Sequence, residues 1–313
     1  MKIYIIPLFC MWAFWVWLNM PSSGAFEKEP YSMVDGRQEN RNGVERDELV
    51  FGHASQEDII KIGKMQGIKK LSVNITEEDI DLSPLSNLGE LEELSLGLRW
   101  GIEPDTAPLV KLGNLKVITL FDCDMDLSFL SQMHNLEEVV VLRSEVADLS
   151  VFRRLGKLER LSVEYVSDTD LSCLENLTGL ESLRITGYRM GNMESMGKLT
   201  ELKELHLEEI FSQTEDAERT ELDFRILENM KEMQSVSIGR MDVSNVGSLA
   251  ELEFLRCVIL ADTGIEDIMP LAGLSSLREL LVLGNRSEKV KMQAEFFPEG
   301  TEITVMEEVP AAF

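Results

Sequence analysis

Positive charge is scarce in this chain of 313 residues: 30 Lys plus Arg stand against 56 Asp plus Glu, a net charge of −26. That imbalance repels a phosphate backbone or an anionic membrane surface over most of the exterior, so nucleic acid is not an expected partner. Histidine is rarer still, at three residues, and no Gly-rich phosphate loop, G-x-S-x-G elbow, H-E-x-x-H or paired C-x-x-C is present. The sequence therefore does not read first as an enzyme, and it implies no cofactor. Of its four cysteines, Cys123, Cys173 and Cys257 lie beyond residue 25. Their odd number and wide spacing argue against a disulfide framework and for core filling. Hydrophobic residues make up 44% of the chain, enough for a sizeable core, which excludes a disordered protein.

Long apolar runs are also lacking, with one exception at the N-terminus. Met1-Lys2 leads into Ile3 to Met20, crowded with Phe, Trp, Ile and Leu and followed by Pro21, Ser22, Ser23, Gly24 and Ala25. Small side chains three residues before and directly before Phe26 suit a signal peptidase, so residues 1–25 read as a cleaved signal peptide. The alternative is an uncleaved anchor, since 18 apolar residues lie near the lower limit for crossing a bilayer. Only in that case does a membrane enter the reading. Both versions put the remainder outside the cytoplasm, secreted or at the cell surface. Residues 26–46 are polar and aperiodic, and read as a flexible leader.

What is abundant is repetition. Leu85, Leu88, Leu91, Leu94 and Leu96 define L-x-x-L-x-x-L-x-x-L-x-L, which recurs at Leu109 to Leu120, Leu130 to Val141, Phe152 to Val163, Leu174 to Ile185, Met196 to Leu207, Leu227 to Ile238, Val246 to Cys257 and Leu271 to Val282. Weaker copies start at Ile62 and Ala294. The starts are 23, 24, 21, 22, 22, 22, 31, 19, 25 and 23 residues apart, and most of these fall within the roughly 20 to 29 residues of leucine-rich repeats. The final L-x-L reads as a short strand with both leucines inward. A single unit cannot bury its leucines, so the units must stack into one column. The expected fold is an α/β leucine-rich-repeat solenoid with a curved parallel sheet on the concave face and short turns, 3-10 or helical segments on the convex face. Residues 47–61 read as an N-terminal cap, 62–293 as the repeats and 294–313 as a partial repeat or C-terminal cap. Leu49-Val50-Phe51 would form an edge strand, and Ser55 to Asp58 would start a capping helix.

A second ladder precedes each template start by four residues: Asp58, Asp81, Asp105, Asp126, Asp148, Asp170, Asn192, Asp223, Asp242 and Asp267. These read as caps whose carboxylates accept backbone N–H groups at the start of the convex turn. Calcium is the sharper alternative, but one carboxylate per turn falls far short of the roughly six to eight oxygens that calcium gathers.

The stretches Gly264 to Leu277 (GIEDIMPLAGLSSL) and Asp81 to Leu88 (DLSPLSNL) resemble bacterial leucine-rich repeats of the internalin type. The resemblance spans residues 58 to about 305. It implies a curved solenoid, exported to the cell surface, whose concave sheet docks a protein ligand, often a host receptor. The sequence departs from the family where an Asn normally follows the strand, since only Asn285 fits among Thr76, Arg99, Cys123, Ser144, Val166, Tyr188, Ile210, Met241, Leu260, Asn285 and Glu308. Cell-wall attachment signals are lacking as well.

Binding would be written in the outward strand residues. Phe121, Val140 and Leu142, with Val117 nearby, would form an exposed apolar patch, and Glu164 adds an acid beside it. Phe254, Val258, Leu281 and Leu283 form a second patch, which the tail from Met306 onward would cover. Glu204, His206 and Glu208 alternate on one strand and so share a face. They read as an extension of an acidic binding face, or alternatively as a divalent-metal or acid–base site. Arg184 and Arg160, on preceding strands, favour ordinary cross-strand pairing. The insertion Phe211 to Thr220 reads as a solvated loop. Asn74, Asn176 and Asn285 head glycosylation sequons. The function expected is a secreted or surface-exposed module that binds a protein through its concave face, with a basic partner favoured by the charge. The alternatives are a metal-dependent enzyme and a purely structural spacer.

Overall fold

Two periods decide how each unit folds: residues three apart eclipse on a 3-10 turn, and residues two apart share a face of a strand. The computed structural model describes residues 47–99, 101–123, 125–210 and 219–309. In the second unit Leu85, Leu88 and Leu91 each donate a backbone N–H to the carbonyl three residues back, at 3.0, 3.0 and 3.1 Å. Leu94 and Leu96 follow on a strand, and all five leucines are buried. The same sequence of turn and strand runs the length of the described chain.

The strands are β1 (Glu48–Ala54), β2 (Lys70–Ile75), β3 (Glu93–Leu98), β4 (Val117–Phe121), β5 (Glu138–Leu142), β6 (Val146–Asp148), β7 (Arg160–Asp170) and β8 (Ser182–Gly187). They continue as β9 (Met190–Gly191), β10 (Glu204–Glu209), β11 (Glu221–Asp223), β12 (Ser235–Gly239), β13 (Asp242–Ser244), β14 (Cys257–Ala261), β15 (Glu279–Leu283) and β16 (Glu302–Val305). The main sheet has 14 strands and runs β1-β2-β3-β4-β5-β7-β8-β10-β12-β14-β15-β16, with β6 and β9 attached to β7 and β11-β13 forming a separate pair. Among the described residues every pairing is parallel, and β1 and β16 are the first and last strands of the sheet order. This is a leucine-rich-repeat solenoid. Its core is a continuous column of leucines under one face of the sheet, so each unit is stabilised mainly by its neighbours.

At the N-terminal end β1 pairs with β2, and Ser55 and Asp58 form a reciprocal capping box at the start of α1 (Gln56–Ile62), which buries Ile59 and Ile62. At the other end α2 (Glu288–Gln293) precedes β16. No described helix is long and apolar enough to cross a membrane. The expected signal peptide and leader, residues 1–46, lie outside the described residues, as does most of the insertion.

One repeat is corrected by the structure. In β14 the inward residues are Val258 and Leu260, aligned with Val236 and Ile238 on one side and Leu280 and Val282 on the other. The unit therefore starts at Leu249 rather than Val246, and Cys257 is not an inward strand residue. The intervals Leu227 to Leu249 and Leu249 to Leu271 become 22 and 22 residues, replacing 19 and 25. The L-x-x-L spacing allows two registers offset by three, and the packing of five fully buried side chains, Leu249, Leu252, Leu255, Val258 and Leu260, selects this one.

The acidic ladder occupies the starts of the 3-10 turns. The carboxylates of Asp81, Asp105, Asp126, Asp148, Asp170, Asp223 and Asp267 each accept the backbone N–H two residues on, at 2.7 to 3.0 Å. Asp242 is a correction: it lies in β13, 3.6 Å from Arg219, and caps no turn. In the shifted register its rung is Asn245. Asn245 and Asn192 both adopt left-handed backbone, and each donates its amide to the Asp of the preceding rung, Asp223 and Asp170, at 2.9 Å. Glutamines close the ladder at both ends. Gln56 accepts the Asp81 N–H at 2.7 Å, and Gln293 accepts the Ile268 N–H at 2.9 Å while donating to Asp267 at 2.8 Å.

Two of the positions that lack Asn after the strand carry smaller polar groups that are buried, Ser144 and Thr263. Ser144 Oγ accepts the Cys123 N–H at 2.9 Å and donates to the Leu142 carbonyl at 2.9 Å. In the corrected register the ninth position is Thr263, not Leu260, and it too is buried. Asn285 donates to the Ile265 carbonyl at 2.6 Å and is buried, so its sequon is committed to the fold.

Candidate functional site

The open face of the sheet is built from the residues that alternate with the inward leucines. Its central row reads Ser72, Ser95, Thr119, Val140, Ser162, Arg184, His206, Ser237, Ile259 and Leu281, directly opposed strand to strand. One half is thus small or hydroxylated, the middle carries two large polar side chains, and the far half is aliphatic.

The first expected patch is more covered than its sequence implies. Phe121 is 8% exposed and Val140 6%. Leu142 and Val117 are half-buried. The reason for Phe121 is its neighbour in register, Gly97: the absent side chain there leaves a slot into which the ring folds. Val140 lies between Thr119 and Ser162. The second patch does not assemble on the open face. Val258 points into the core with the register change, Leu283 is buried, Leu281 is half-buried and Phe254 stands alone at 48% exposure.

The middle of the face is a network of charges. Arg160 and Glu138 pair at 2.7 Å, which raises the Arg160 pKa. Arg143 holds Asp122 through two hydrogen bonds of 2.7 Å and gives its backbone N–H to Glu164 Oε2 at 3.0 Å. Arg240 pairs with Glu208. Burial works to raise the Glu208 carboxyl, but contact with His206 and the charge of Arg240 outweigh it and hold the group below its ordinary value. Glu204 stands apart, exposed, accepting the Ser182 hydroxyl at 3.1 Å.

His206 sits between opposite demands. Its Nδ1 is 2.9 Å from Ser237 Oγ, whereas Nε2 is shut from solvent without a hydrogen-bond partner, 3.7 Å from Glu208 Oε2. Burial and the adjacent Arg184 push its pKa down, and Glu208 only partly opposes them. The ring is therefore neutral at physiological pH. Arg184 is itself lowered by burial, with Glu164 and Glu208 acting against that.

The structure thus brings Arg184, His206, Glu208 and Glu164 into one region and leaves Glu204 outside it. Among the described residues no group of three or more His, Cys, Asp or Glu is placed to hold a metal ion. Sequence reasoning missed Arg143, Arg240 and Ser237 as members of this network. A signal for two of them exists: Asp122, Arg143, Tyr165, Arg240 and Asp262 each lie two residues past the second inward strand residue, and all have φ between 48° and 57°. Left-handed backbone turns these side chains along the ends of the strands, where they meet across repeats.

No protein-family model matches the chain, and no curated protein is similar to it in sequence. Solved structures are similar in fold. An internalin from Listeria monocytogenes aligns with a TM-score of 0.59 at 18% identity, covering 82% of this chain and 86% of that one. A leucine-rich-repeat protein of Leptospira interrogans aligns with a TM-score of 0.52 at 14% identity, over 80% and 65%. The leucine-rich-repeat ectodomain of a plant membrane receptor kinase from Arabidopsis thaliana, solved in complex with Casparian strip integrity factor 2, gives 0.51 at 15% identity, over 82% of this chain and 37% of that one. The fold is that of the bacterial internalin-type leucine-rich-repeat solenoids.

Proposed function

We propose that this chain is a secreted or surface-exposed module that binds a protein through the concave, open face of its sheet, without catalysing a reaction. The observation that carries the reading is the contrast between the two sides of each coil. The turn side spends its polar groups on its own backbone through the Asp ladder. The open face instead presents a contiguous row, Ser162, Arg184, His206 and Ser237, whose polar groups are only partly satisfied. Such half-satisfied polar floors beside apolar neighbours suit an interface that completes them. The plant ectodomain solved with its factor is a precedent for ligand binding by this fold at the level of architecture. The net charge of −26 favours a partner with a basic surface, drawn in by the long-range field.

The test is a binding screen of the exported full chain against extracellular and cell-surface proteins, run in parallel with Ser162→Arg on the open face and Glu175→Arg on the turn side. Loss of an interaction in Ser162→Arg, with Glu175→Arg unaffected, is the expected result. Interactions lost only in Glu175→Arg would place binding on the other side and defeat the reading.

A further inference from the structure

We propose that the open face holds a seat for a carboxylate of the protein partner, made by the Arg184 guanidinium with the His206 imidazole beside it. The inference rests on the protein-binding reading above and adds the chemistry of one contact. Arg184 and His206 are directly opposed on β8 and β10, with Ser162 and Ser237 on the outer sides. A guanidinium carries five N–H donors in a planar fork. Among the described residues none of those donors reaches a hydrogen-bond acceptor and no carboxylate pairs with the group. The acids closest in charge are engaged elsewhere, Glu164 with the Arg143 N–H and Glu208 with Arg240. They steady the positive charge without filling its donors.

His206 adds a second observation: its Nε2 is buried without a hydrogen-bond partner, 3.7 Å from Glu208 Oε2. Two side chains directly opposed on one face of the sheet, with unfilled hydrogen-bonding positions, are costly to leave so. A planar acceptor with two oxygens meets the fork in bidentate fashion, which is why arginine selects carboxylates. The surroundings limit the charge that the seat admits. Glu164 and Glu208 stand beside it, so a polyanion or a phosphate is repelled where a single carboxylate on a neutral or basic surface is not. The rim suits a protein: Tyr165 and Tyr188, on the ends of the adjoining coils, are 43% and 45% exposed. Tyrosine and arginine together are the residue types that dominate interface energetics. The partner is thus a protein that presents an Asp or Glu side chain from a surface otherwise poor in negative charge.

A displayed library of random peptides, panned against the exported full chain, tests the seat without the natural partner. Binders sensitive to Ser162→Arg define the open-face set. The expected result is that this set shares an Asp or Glu, that its replacement by Asn or Gln weakens binding about 30-fold, and that the same replacement has no further effect against Arg184→Gln. Working from the peptide side keeps the test independent of any folding defect in the variant. Open-face binders that lack an acid, or that bind Arg184→Gln equally well, overturn the carboxylate seat and leave the protein-binding reading standing. A selection without any binder sensitive to Ser162→Arg overturns both.

Discussion

The ring of Phe121 lies so close over Gly97 that a Cβ at residue 97 would stand 2.1 Å from Phe121 Cε2. The two residues are partners in the register of β3 and β4. An outward phenylalanine is thereby folded flat on the sheet rather than left as an exposed anchor. Gly97→Ala should force the ring out and lower stability by about 1–3 kcal/mol, the usual cost of overpacking. The check is chemical denaturation of Gly97→Ala, Phe121→Ala and the double variant. Strong non-additivity is expected, and simple additivity would show that the two side chains do not share the slot.

The Asp ladder makes a prediction about unequal rungs. Asp170 accepts the Ser172 N–H and the Asn192 amide, whereas Asp242 accepts no turn N–H. Asp170→Ala should cost about 1 kcal/mol, as a lost cap does, and Asp242→Ala should stay within about 0.5 kcal/mol of the parent. Denaturation midpoints of the two variants decide between this assignment and an evenly spaced ladder that includes Asp242.

Acid should act in two windows of opposite chemistry. The Arg225 side chain and backbone N–H, with the Asn245 amide, hold the Asp223 carboxyl down from 3.8 to about 2. A depressed carboxyl adds stability that is fully present above pH 3.8 and disappears as pH falls toward about 2. Solvent screening limits its size at so exposed a site. His206 is depressed from 6.5 by burial and by Arg184, so the unfolded chain takes up its proton first and stability falls as pH drops below 6.5. His206→Gln should remove the upper step and Asp223→Asn should flatten the lower one. Thermal melts from pH 8 to pH 2 test both.

Burial also silences two thiols. Cys123 is pushed up to about 12 and Cys173 to about 11. Neither should react with a thiol reagent at about pH 8 in the folded protein, and both should react on unfolding, because the thiolate is the reactive form. Mass spectrometry of alkylated peptides gives the answer. Modification of Cys123 in the native state would contradict the packing described.

The fold was legible in the sequence because its signal is repeated: one L-x-x-L spacing is weak, but eleven stacked copies constrain each other. The same spacing explains the one register error. Val246 and Leu249 are both apolar and three apart, and only the neighbouring strands show that Val258 rather than Cys257 faces inward. The site was less legible for a different reason. Alternation along a strand places His206 and Glu208 on one face, but it says nothing about cross-strand cover, so Phe121 read as exposed and the Gly97 slot went unseen. The left-handed residues Arg143 and Arg240 belong to the site through backbone geometry, which propensity does not encode for arginine.

The claim that the open face is the binding face is tested most directly by photo-crosslinking from defined positions of the full chain. A photoreactive amino acid is placed at residue 162 or 186 on the open face, or at residue 153 or 175 on the turn side, and the protein is irradiated with extracellular material. Covalent adducts to one protein species from 162 and 186, and none from 153 and 175, are the predicted result. Adducts confined to 153 and 175 would contradict it.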